Sequence, residues 1–263
     1  MKKKIDPYLL FQLENKKRIS SYQKNTKWKN LSKRWLIESV KNNYMYNFEW
    51  LGRPIIQMPT DIAVIQELVW KIKPDLIIET GIAHGGSLVL SASILGLLDM
   101  CEAIESNSVF NPKKSKRKVL GIDIDIRKHN KKAILKHPMS SRIKMIEGSS
   151  VSKNVINKVR KFSQNYKKIM VFLDSNHTHN HVKEELNAYA SLTSLNSYCI
   201  VFDTIVEYMP KNFYSNRPWN KGDNPMTAVN DYLKEHDEFK IDKIINDKIM
   251  LSQSPNGFLK KIK

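Results

Sequence analysis

The stretch ETGIAHGGS, residues 79–87, determines the fold predicted for this chain. Apolar residues 76–78 precede it and the mostly apolar run 88–95 follows it, which predicts a buried strand, a glycine turn and a helix. Glycines in such a turn let the backbone approach a ligand closely. The acidic residue that ends the strand suits the cationic amino-acid part of S-adenosylmethionine better than a phosphate. The turn therefore favours a methyl-donor site over a dinucleotide site.

Strands and helices alternate along the rest of the chain. Strands joined by helices of this length form a mostly parallel sheet that is buried on both faces. Residues 248–252 and 258–262 flank a Pro-Asn-Gly turn and predict an antiparallel hairpin. The predicted fold class is therefore α/β, a Rossmann-like class I methyltransferase sheet closed by an antiparallel C-terminal hairpin. We predict core strands at residues 75–79, 118–123, 143–147, 168–174 and 197–203, and helices at 86–98, 151–162, 180–190 and 225–235.

The N-terminal part of the chain differs in character, since it is polar, basic and rich in aromatic residues. Trp28, Leu31 and Trp35 have a loose helical spacing, which predicts one or two helices packed on the core or on a partner chain. We therefore divide the chain into an N-terminal helical extension, residues 1–58, and a Rossmann-like donor-binding catalytic domain, residues 59–263.

The composition is strongly basic, with a formal net charge of +18 over 263 residues. Nucleic acid, an anionic membrane surface or an acidic glycolipid would suit this charge. No nucleic-acid motif accompanies it, so a solvated surface is the simpler explanation. The sequence contains no uninterrupted apolar run of about 18 residues, so no membrane-spanning helix is predicted. Cys101 and Cys199 do not have the spacing of metal ligands. We expect a cytoplasmic protein, and peripheral attachment at the inner membrane surface stays open.

Nearly every predicted core strand ends in a carboxylate. Ligands bind beyond the carboxyl ends of the strands in an open α/β sheet. Clustered anions repel one another and require compensation, which a cationic ligand, a metal ion or both would supply. The strand-end acids are Glu79, Asp123, Glu147, Asp174 and Asp203.

The first strand end predicts most of the donor site. Glu79 would face the cationic part of the donor, and Gly81 and Gly85 would let the donor approach the backbone closely. Ser87 would donate to the donor carboxylate from the start of the helix, where the helix dipole favours an anion. His84 either lines the donor or faces water.

The next two strand ends extend this prediction. Asp123 is placed to accept both ribose hydroxyls, and Gly148 and Ser149 fall where the adenine edge would lie. A glycine turn alone is more simply a tight strand–helix connection. Combined with Asp123, it favours cofactor binding.

The last two strand ends predict a metal site. Asp174 and Asp203 end strands that should be neighbours, and two carboxylates suit Mg²⁺, Mn²⁺ or Ca²⁺. Such an ion would bind a substrate hydroxyl and lower its pKa. Helix or loop capping is the alternative role for either aspartate.

Three histidines follow Asp174 at alternate positions. His177 lies three residues after the carboxylate, where a general base would be placed. A zinc site is weakly supported, since no further ligand spacing accompanies the histidines. We expect His179 and His181 to begin a helix and face water. Residues 210–224 follow the last core strand, where a substrate lid is expected.

Five ordered motifs resemble the cephalosporin hydroxylase / rhamnosyl O-methyltransferase family. The likeness runs from about Trp50 to near the C-terminus. It implies a class I S-adenosylmethionine fold with a divalent-ion site, for which Mg²⁺ is the expected ion. Members of the family are often associated with modifying sugars on antibiotics, glycolipids or surface polysaccharides. The motifs are residues 53–59, 73–87, 121–125, 172–179 and 201–207.

The metal motif departs from its relatives. Asp174 and Asp203 match the aspartates of cation-dependent catechol-type O-methyltransferases, but Thr204 stands where those enzymes have Asn. Phe202 stands where the antibiotic-pathway relative is acidic, so water or Glu207 would complete the shell. The sequence shows neither a clear two-histidine, one-carboxylate iron site nor a flavin signature, so the oxidative activity in the family's hydroxylase name is not predicted for this chain.

These observations predict a metal-assisted, S-adenosylmethionine-dependent O-methyltransferase acting on a sugar hydroxyl. The acceptor would be a surface polysaccharide, a glycolipid or a natural product, including a lipid-linked glycan at a membrane surface. A homo-oligomer is expected, and nucleic acid is not the expected partner. The alternatives are a non-catalytic scaffold that keeps the fold and an RNA methyltransferase suggested by the charge.

Overall fold

A seven-stranded sheet forms the centre of the protein, whose computed structural model describes residues 6–263. The strand order is β5-β4-β3-β6-β7-β9-β8, and the first five strands in this order are parallel. A separate hairpin is formed by β1 and β2. The strands are β1 (Phe48–Trp50), β2 (Arg53–Ile55), β3 (Leu76–Thr80), β4 (Lys118–Asp123), β5 (Ile143–Glu147), β6 (Ile169–Leu173), β7 (Tyr198–Val201), β8 (Phe239–Ile241) and β9 (Phe258–Lys261).

Helices cover both faces of the sheet. Every residue of β3 and of β6 is buried, because these central strands lie between two hydrophobic clusters, one on each face. The helices are α1 (Pro7–Tyr22), α2 (Thr26–Lys41), α3 (Pro59–Ile72), α4 (Gly86–Glu105), α5 (Lys128–Lys136), α6 (Lys153–Ser163), α7 (His179–Tyr189), α8 (Pro225–Tyr232) and α9 (Lys243–Ile249).

The order of the strands reverses between β3 and β6. The chain runs from β3 outward to β4 and β5, then returns to β6 beside β3 and continues to β7 on the other side. Such a switch point opens a crevice at the carboxyl ends of the strands. The predicted donor and metal residues therefore lie where this topology places a ligand.

Antiparallel strands close the sheet as predicted, but the assignment of residues 248–252 to one of them is wrong. β9 lies between β7 and β8 and pairs antiparallel with both, and α9 connects β8 to β9 in the chain. Ser252 and Gln253 instead donate hydrogen bonds to the buried carboxylate of Asp61, at 2.6 and 2.8 Å. These side-chain bonds fix the segment as an irregular connection.

The helix α4 is long and apolar enough to cross a membrane by length and composition alone, the one such helix among the described residues. Half of its apolar window is buried, and residues including Leu88, Val89 and Leu95 lie in the core cluster. These contacts make it a core helix of this fold.

The N-terminal segment forms two helices, within the predicted number. Leu36 of α2 and Met45 share a buried cluster with Met58, Ile205 and Met209. Residues 204–208 form a 3₁₀ turn directly after Asp203. The N-terminal segment therefore supports the stretch of chain that follows β7, where one of the predicted metal ligands lies.

Candidate active site

Glu79 ends β3 as a buried acid with a free oxygen. Its side chain is 2% exposed, and Oε1 accepts a hydrogen bond from the Ser87 hydroxyl. Oε2 has no hydrogen-bond partner among the described residues. Burial raises the pKa of this carboxyl to about 8. A buried orphan carboxylate is compensated by a cation, so Glu79 fits the ammonium group of a bound methionine moiety.

Ser87 was predicted to face the donor carboxylate. In the structure its hydroxyl donates to Glu79 instead. Its backbone lies in the first turn of α4, where unpaired N–H groups and the helix dipole favour an anion. The predicted contact with the donor itself stays a prediction.

Two glycines of the turn occupy positions that a larger residue would not fit. Gly81 has φ 88°, and a Cβ atom built there would lie 2.1 Å from the carbonyl oxygen of Asp174. Gly85 has φ 84°, and its Cβ would lie 2.5 Å from Cδ1 of Ile134. The two glycines therefore let the turn pack closely on the backbone just after β6 and on α5, and the approach of a ligand to this backbone stays a prediction.

Asp123 holds the glycine turn from the end of β4. Its Oδ2 accepts hydrogen bonds from the backbone N–H groups of Ile82 at 2.8 Å and Ala83 at 3.3 Å. The Oδ1 atom accepts from the N–H of Asp125 at 3.2 Å. Gly148 donates its N–H to the Asp123 carbonyl at 2.8 Å, which brings Gly148 and Ser149 to the same edge. The ribose and adenine roles of these residues remain predictions.

A second support of the turn was not predicted as a site. Arg53 Nε donates to the carbonyl oxygen of His84 at 2.9 Å, and its Nη2 donates to Oδ1 of Asn130 at 3.0 Å. Asn130 in turn donates from Nδ2 to the carbonyl of Ala83 at 2.9 Å. The side chain of His84 is half-buried, and its role stays open. The only sequence signal for Arg53 is its place in the first family-like motif.

The predicted metal ligands converge. Asp174, His177 and Asp203 each offer one ligand atom, and these atoms all lie within 4.8 Å of one another. Burial, and then the neighbouring carboxylates of Asp203 and Glu79, raise the pKa of Asp174 well above its usual range. Asp203 has φ 53°, a left-handed conformation that costs energy for a residue with a side chain. Paired carboxylates under such repulsion fit a divalent cation.

Two side chains that the metal motif singled out beside Asp203, Thr204 and Glu207, make hydrogen bonds with neighbouring loops. The Thr204 hydroxyl donates to the Pro255 carbonyl at 2.6 Å. Glu207 Oε2 accepts from the N–H of Gly222 at 2.9 Å and from Nδ2 of Asn224 at 2.6 Å. Both side chains stabilise loops. His177 is the third residue that the structure brings to the two aspartates.

The predicted lid, residues 210–224, packs over His177. The ring of Trp219 contacts His177 edge to face, with centroids 4.7 Å apart. The Arg217 guanidinium lies 5.4 Å from the centre of the Trp219 ring. Asn220 accepts from the Tyr214 N–H at 3.3 Å and donates to the Tyr214 carbonyl at 3.1 Å. The lid is therefore internally bonded, and it places an aromatic ring beside the metal cluster.

The expectation that His179 and His181 face water is wrong. The backbone N–H of His179 donates to Asp223 Oδ1 at 2.7 Å, and the ring Nδ1 atom of His179 lies 2.9 Å from the Thr227 hydroxyl. His181 Nε2 lies 3.1 Å from the Ser150 hydroxyl. Hydrogen bonding to buried Glu185 raises the pKa of His181. His179 thus anchors the lid, whereas His181 belongs to a polar network behind the strand ends.

The fold and the site together define a class I S-adenosylmethionine-dependent O-methyltransferase. A family model described as rhamnosyl O-methyltransferase/CmcI matches residues 42–262. The chain belongs to this family.

Individual relatives agree with this assignment. A rhamnosyl O-methyltransferase of Mycobacterium bovis is 28% identical over 207 residues, which cover 76% of this chain and 72% of that protein. One from Mycobacterium leprae is 25% identical over 222 residues, covering 82% and 85%. Among solved structures, CmcI-N160 in its apo form has a TM-score of 0.55 at 17% identity and covers 83% of this chain and 77% of that chain. A Mg-SAM structure of CmcI-D160 has a TM-score of 0.54, with the same identity and coverage of 83% and 78%. The two structural likenesses concern the fold.

Proposed function

We propose that the protein transfers a methyl group from S-adenosylmethionine to a hydroxyl of a sugar-containing acceptor, with a divalent cation, Mg²⁺ above all, at Asp174 and Asp203. The observation that carries this proposal is the convergence of Asp174, His177 and Asp203 within 4.8 Å, beside the orphan carboxyl of Glu79. The mycobacterial relatives are rhamnosyl O-methyltransferases by name, and a CmcI structure is described with Mg and SAM. These names support the sugar and the ion.

The residues of the metal cluster would have separate roles in the reaction. A bound cation would lower the pKa of the acceptor hydroxyl, and the donor would supply an activated methyl group. Asp174 and Asp203 would hold the cation with oxygen ligands. His177 would take the hydroxyl proton at the ring nitrogen that does not contact Asp203, since its Nε2 lies 3.2 Å from Asp203 Oδ2. The protein otherwise aligns the reacting groups and excludes water.

The lid supports a carbohydrate acceptor. Trp219 offers an aromatic ring beside His177, and Tyr214 lies in the same segment. An aromatic side chain provides a large apolar surface, which suits the C–H face of a sugar ring. Arg217 beside Trp219 adds a hydrogen-bond donor for the ring oxygens or for an acidic substituent. The acceptor would thus bind between the lid and the metal cluster.

The first test is calorimetric titration of S-adenosylmethionine and S-adenosylhomocysteine into the protein, with Mg²⁺ and with chelator. Micromolar donor affinity is expected. The absence of binding in both conditions would overturn the enzymatic proposal in favour of a scaffold. Transfer of labelled methyl to rhamnosides, other glycosides and an RNA control then tests the acceptor class. Transfer to RNA and to no glycoside would overturn the sugar assignment.

The metal role has its own test. Asp174→Asn should abolish Mg²⁺-stimulated transfer and leave the donor affinity within about threefold. Asp237→Asn is the matched control, since that side chain is 84% exposed and pairs only with Lys263 among the described residues. Turnover by Asp174→Asn that equals the control, in the presence or absence of chelator, would exclude the metal role.

A further inference from the structure

The first two turns of α1 expose a continuous set of large apolar side chains. Ile19 is the one buried residue in this helix, and it lies near the other end. A contiguous apolar surface of this kind on a soluble protein marks an interaction site. We call this set the α1 patch: Tyr8, Leu9, Leu10, Phe11 and Leu13 are 67%, 48%, 46%, 56% and 42% exposed.

The α1 patch is followed by basic residues. Lys16, Lys17 and Arg18 are exposed on the next turn of the same helix. Residues 7–41 contain nine Lys and Arg against two Glu. Apolar side chains at the start of α1 and cationic side chains on its next turn supply the two kinds of contact that bind a protein to an anionic membrane surface.

The second helix continues this character. Trp28, Leu31 and Trp35 of α2 are also partly or largely exposed. Tryptophan prefers the membrane–water interface, because its ring is apolar and its N–H is polar. The N-terminal helices therefore present aromatic, aliphatic and basic groups together.

Charge distinguishes two possible occupants of the α1 patch. A second copy docked through the same patch would bring a second set of neighbouring basic side chains, Lys16, Lys17 and Arg18, toward the first set, and the repulsion would oppose the contact. Anionic lipid headgroups would instead complement these charges. We propose that the α1 patch docks on a membrane surface that contains anionic lipids.

The position of α1 fits this role in catalysis, and this step rests on the proposed function. Helix α1 packs against α9. Lys243 of α9 and Lys29 and Lys33 of α2 line a cavity of about 430 Å³. Tyr208, in the 3₁₀ turn that follows Asp203, lines the same cavity. A membrane-borne acceptor would thus meet cationic groups in a cavity that α2, α9 and the 3₁₀ turn after Asp203 line together.

Vesicle co-sedimentation tests the proposal with the full-length protein. The protein should bind vesicles of phosphatidylglycerol and phosphatidylcholine, bind pure phosphatidylcholine weakly, and release as salt is raised. Leu10→Glu/Phe11→Glu should lose at least about tenfold in vesicle affinity, since burial of two large side chains is removed. Ile104→Glu/Leu195→Glu is the matched control, because both side chains are exposed, at 71% and 59%, outside the α1 patch.

A second variant and two further measurements separate the outcomes. Lys16→Gln/Lys17→Gln should weaken binding to anionic vesicles and leave binding to neutral vesicles unchanged. Donor affinity measured in solution reports whether each variant is folded, and it tests the methyltransferase role independently of docking. Failure of the wild-type protein to bind anionic vesicles at low salt would overturn the proposal. So would equal binding by the α1 variant and its control. Light scattering that shows a dimer dissociated only by the α1 variant, without vesicle binding, would assign the patch to a second copy.

Discussion

The Nε2 atom of His177 lies 3.2 Å from the Oδ2 atom of Asp203. This contact joins the segment after β6 to the end of β7, and it orients the imidazole ring. Trp219 packs edge-on against the same ring from the lid. A candidate base held on two sides is positioned before an acceptor arrives, which is the arrangement that proton abstraction requires.

His177→Gln should lower the turnover number by about 10²- to 10⁴-fold, the range for loss of a general base. The affinity for S-adenosylmethionine should stay within about threefold, because the proposed donor contacts lie at Glu79 and the glycine turn. Steady-state kinetics and calorimetry measure the two quantities. His129→Gln, an exposed position on α5, is the control. If the variant keeps its turnover at saturating Mg²⁺ but needs much more of the ion, His177 is a ligand instead.

Donor binding should release a proton from Glu79. The pKa of this carboxyl is raised to about 8 in the free protein, so it is mostly protonated at pH 7. A bound ammonium group would favour the carboxylate and lower that pKa. Affinity should therefore rise with pH until about 8, and then fall as the amino group of the donor itself loses its proton.

Calorimetry in buffers of different ionisation heats measures this release. Glu79→Gln should bind the donor more weakly, and the proton release that Glu79 contributes should disappear. Glu147→Gln is the control and should behave like the wild-type protein, since the side chain of Glu147 is half-exposed. Equal proton release by the wild-type protein and Glu79→Gln would assign the proton to another group.

Arg53→Lys should weaken donor binding by about tenfold or more without unfolding the protein. Lysine keeps the charge but cannot bond the His84 carbonyl and Asn130 in the same planar arrangement. Two lost hydrogen bonds correspond to about 1–3 kcal/mol. Calorimetry and thermal unfolding separate the two effects. Arg127→Lys is the exposed control, and equal donor affinity of the two variants would refute a positioning role for Arg53.

Asp61 should make the protein less stable as pH rises toward neutrality. Burial raises the pKa of this carboxyl from 3.8 to about 7. The folded state therefore binds the proton more tightly than the unfolded state, and stability falls between about pH 4 and pH 7. Asp61→Asn cannot ionise, and its amide can still bond Ser252 and Gln253. The variant should lose this fall in the free energy of unfolding, measured by denaturant titration at several pH values. An identical pH profile for both proteins would contradict the prediction.

The sequence predicts the strand ends well because parallel strands carry their carboxyl ends to one edge. Asp174 and Asp203 follow two long apolar runs, and β6 and β7 are neighbours in the sheet. The strand β8 was missed because its three residues are too few for an alternating pattern. Its pairing with β9 depends on contacts distant in sequence.

Other parts of the site depend on side-chain geometry that no local pattern encodes. Arg53 and Asn130 are 77 positions apart, and their hydrogen bond follows from the packing of the β1–β2 hairpin on the core. Glu207 is acidic and near Asp203 in sequence, yet its side chain turns toward Gly222 and Asn224. Sequence position alone could not distinguish a metal ligand from a loop anchor.

The close approach of Gly81 to the Asp174 carbonyl sets the spacing between the two halves of the reaction. The carbonyl oxygen of Asp174, directly after β6, fills the space that a side chain at Gly81 would need. Any larger residue there would push the donor turn away from the metal carboxylate, and a displacement of about 1 Å can cost roughly a hundredfold in rate. A substitution at Gly81 would therefore act on the proposed donor and metal sites together: an engineered change of donor size at this turn would also shift the acceptor hydroxyl relative to the transferred methyl group.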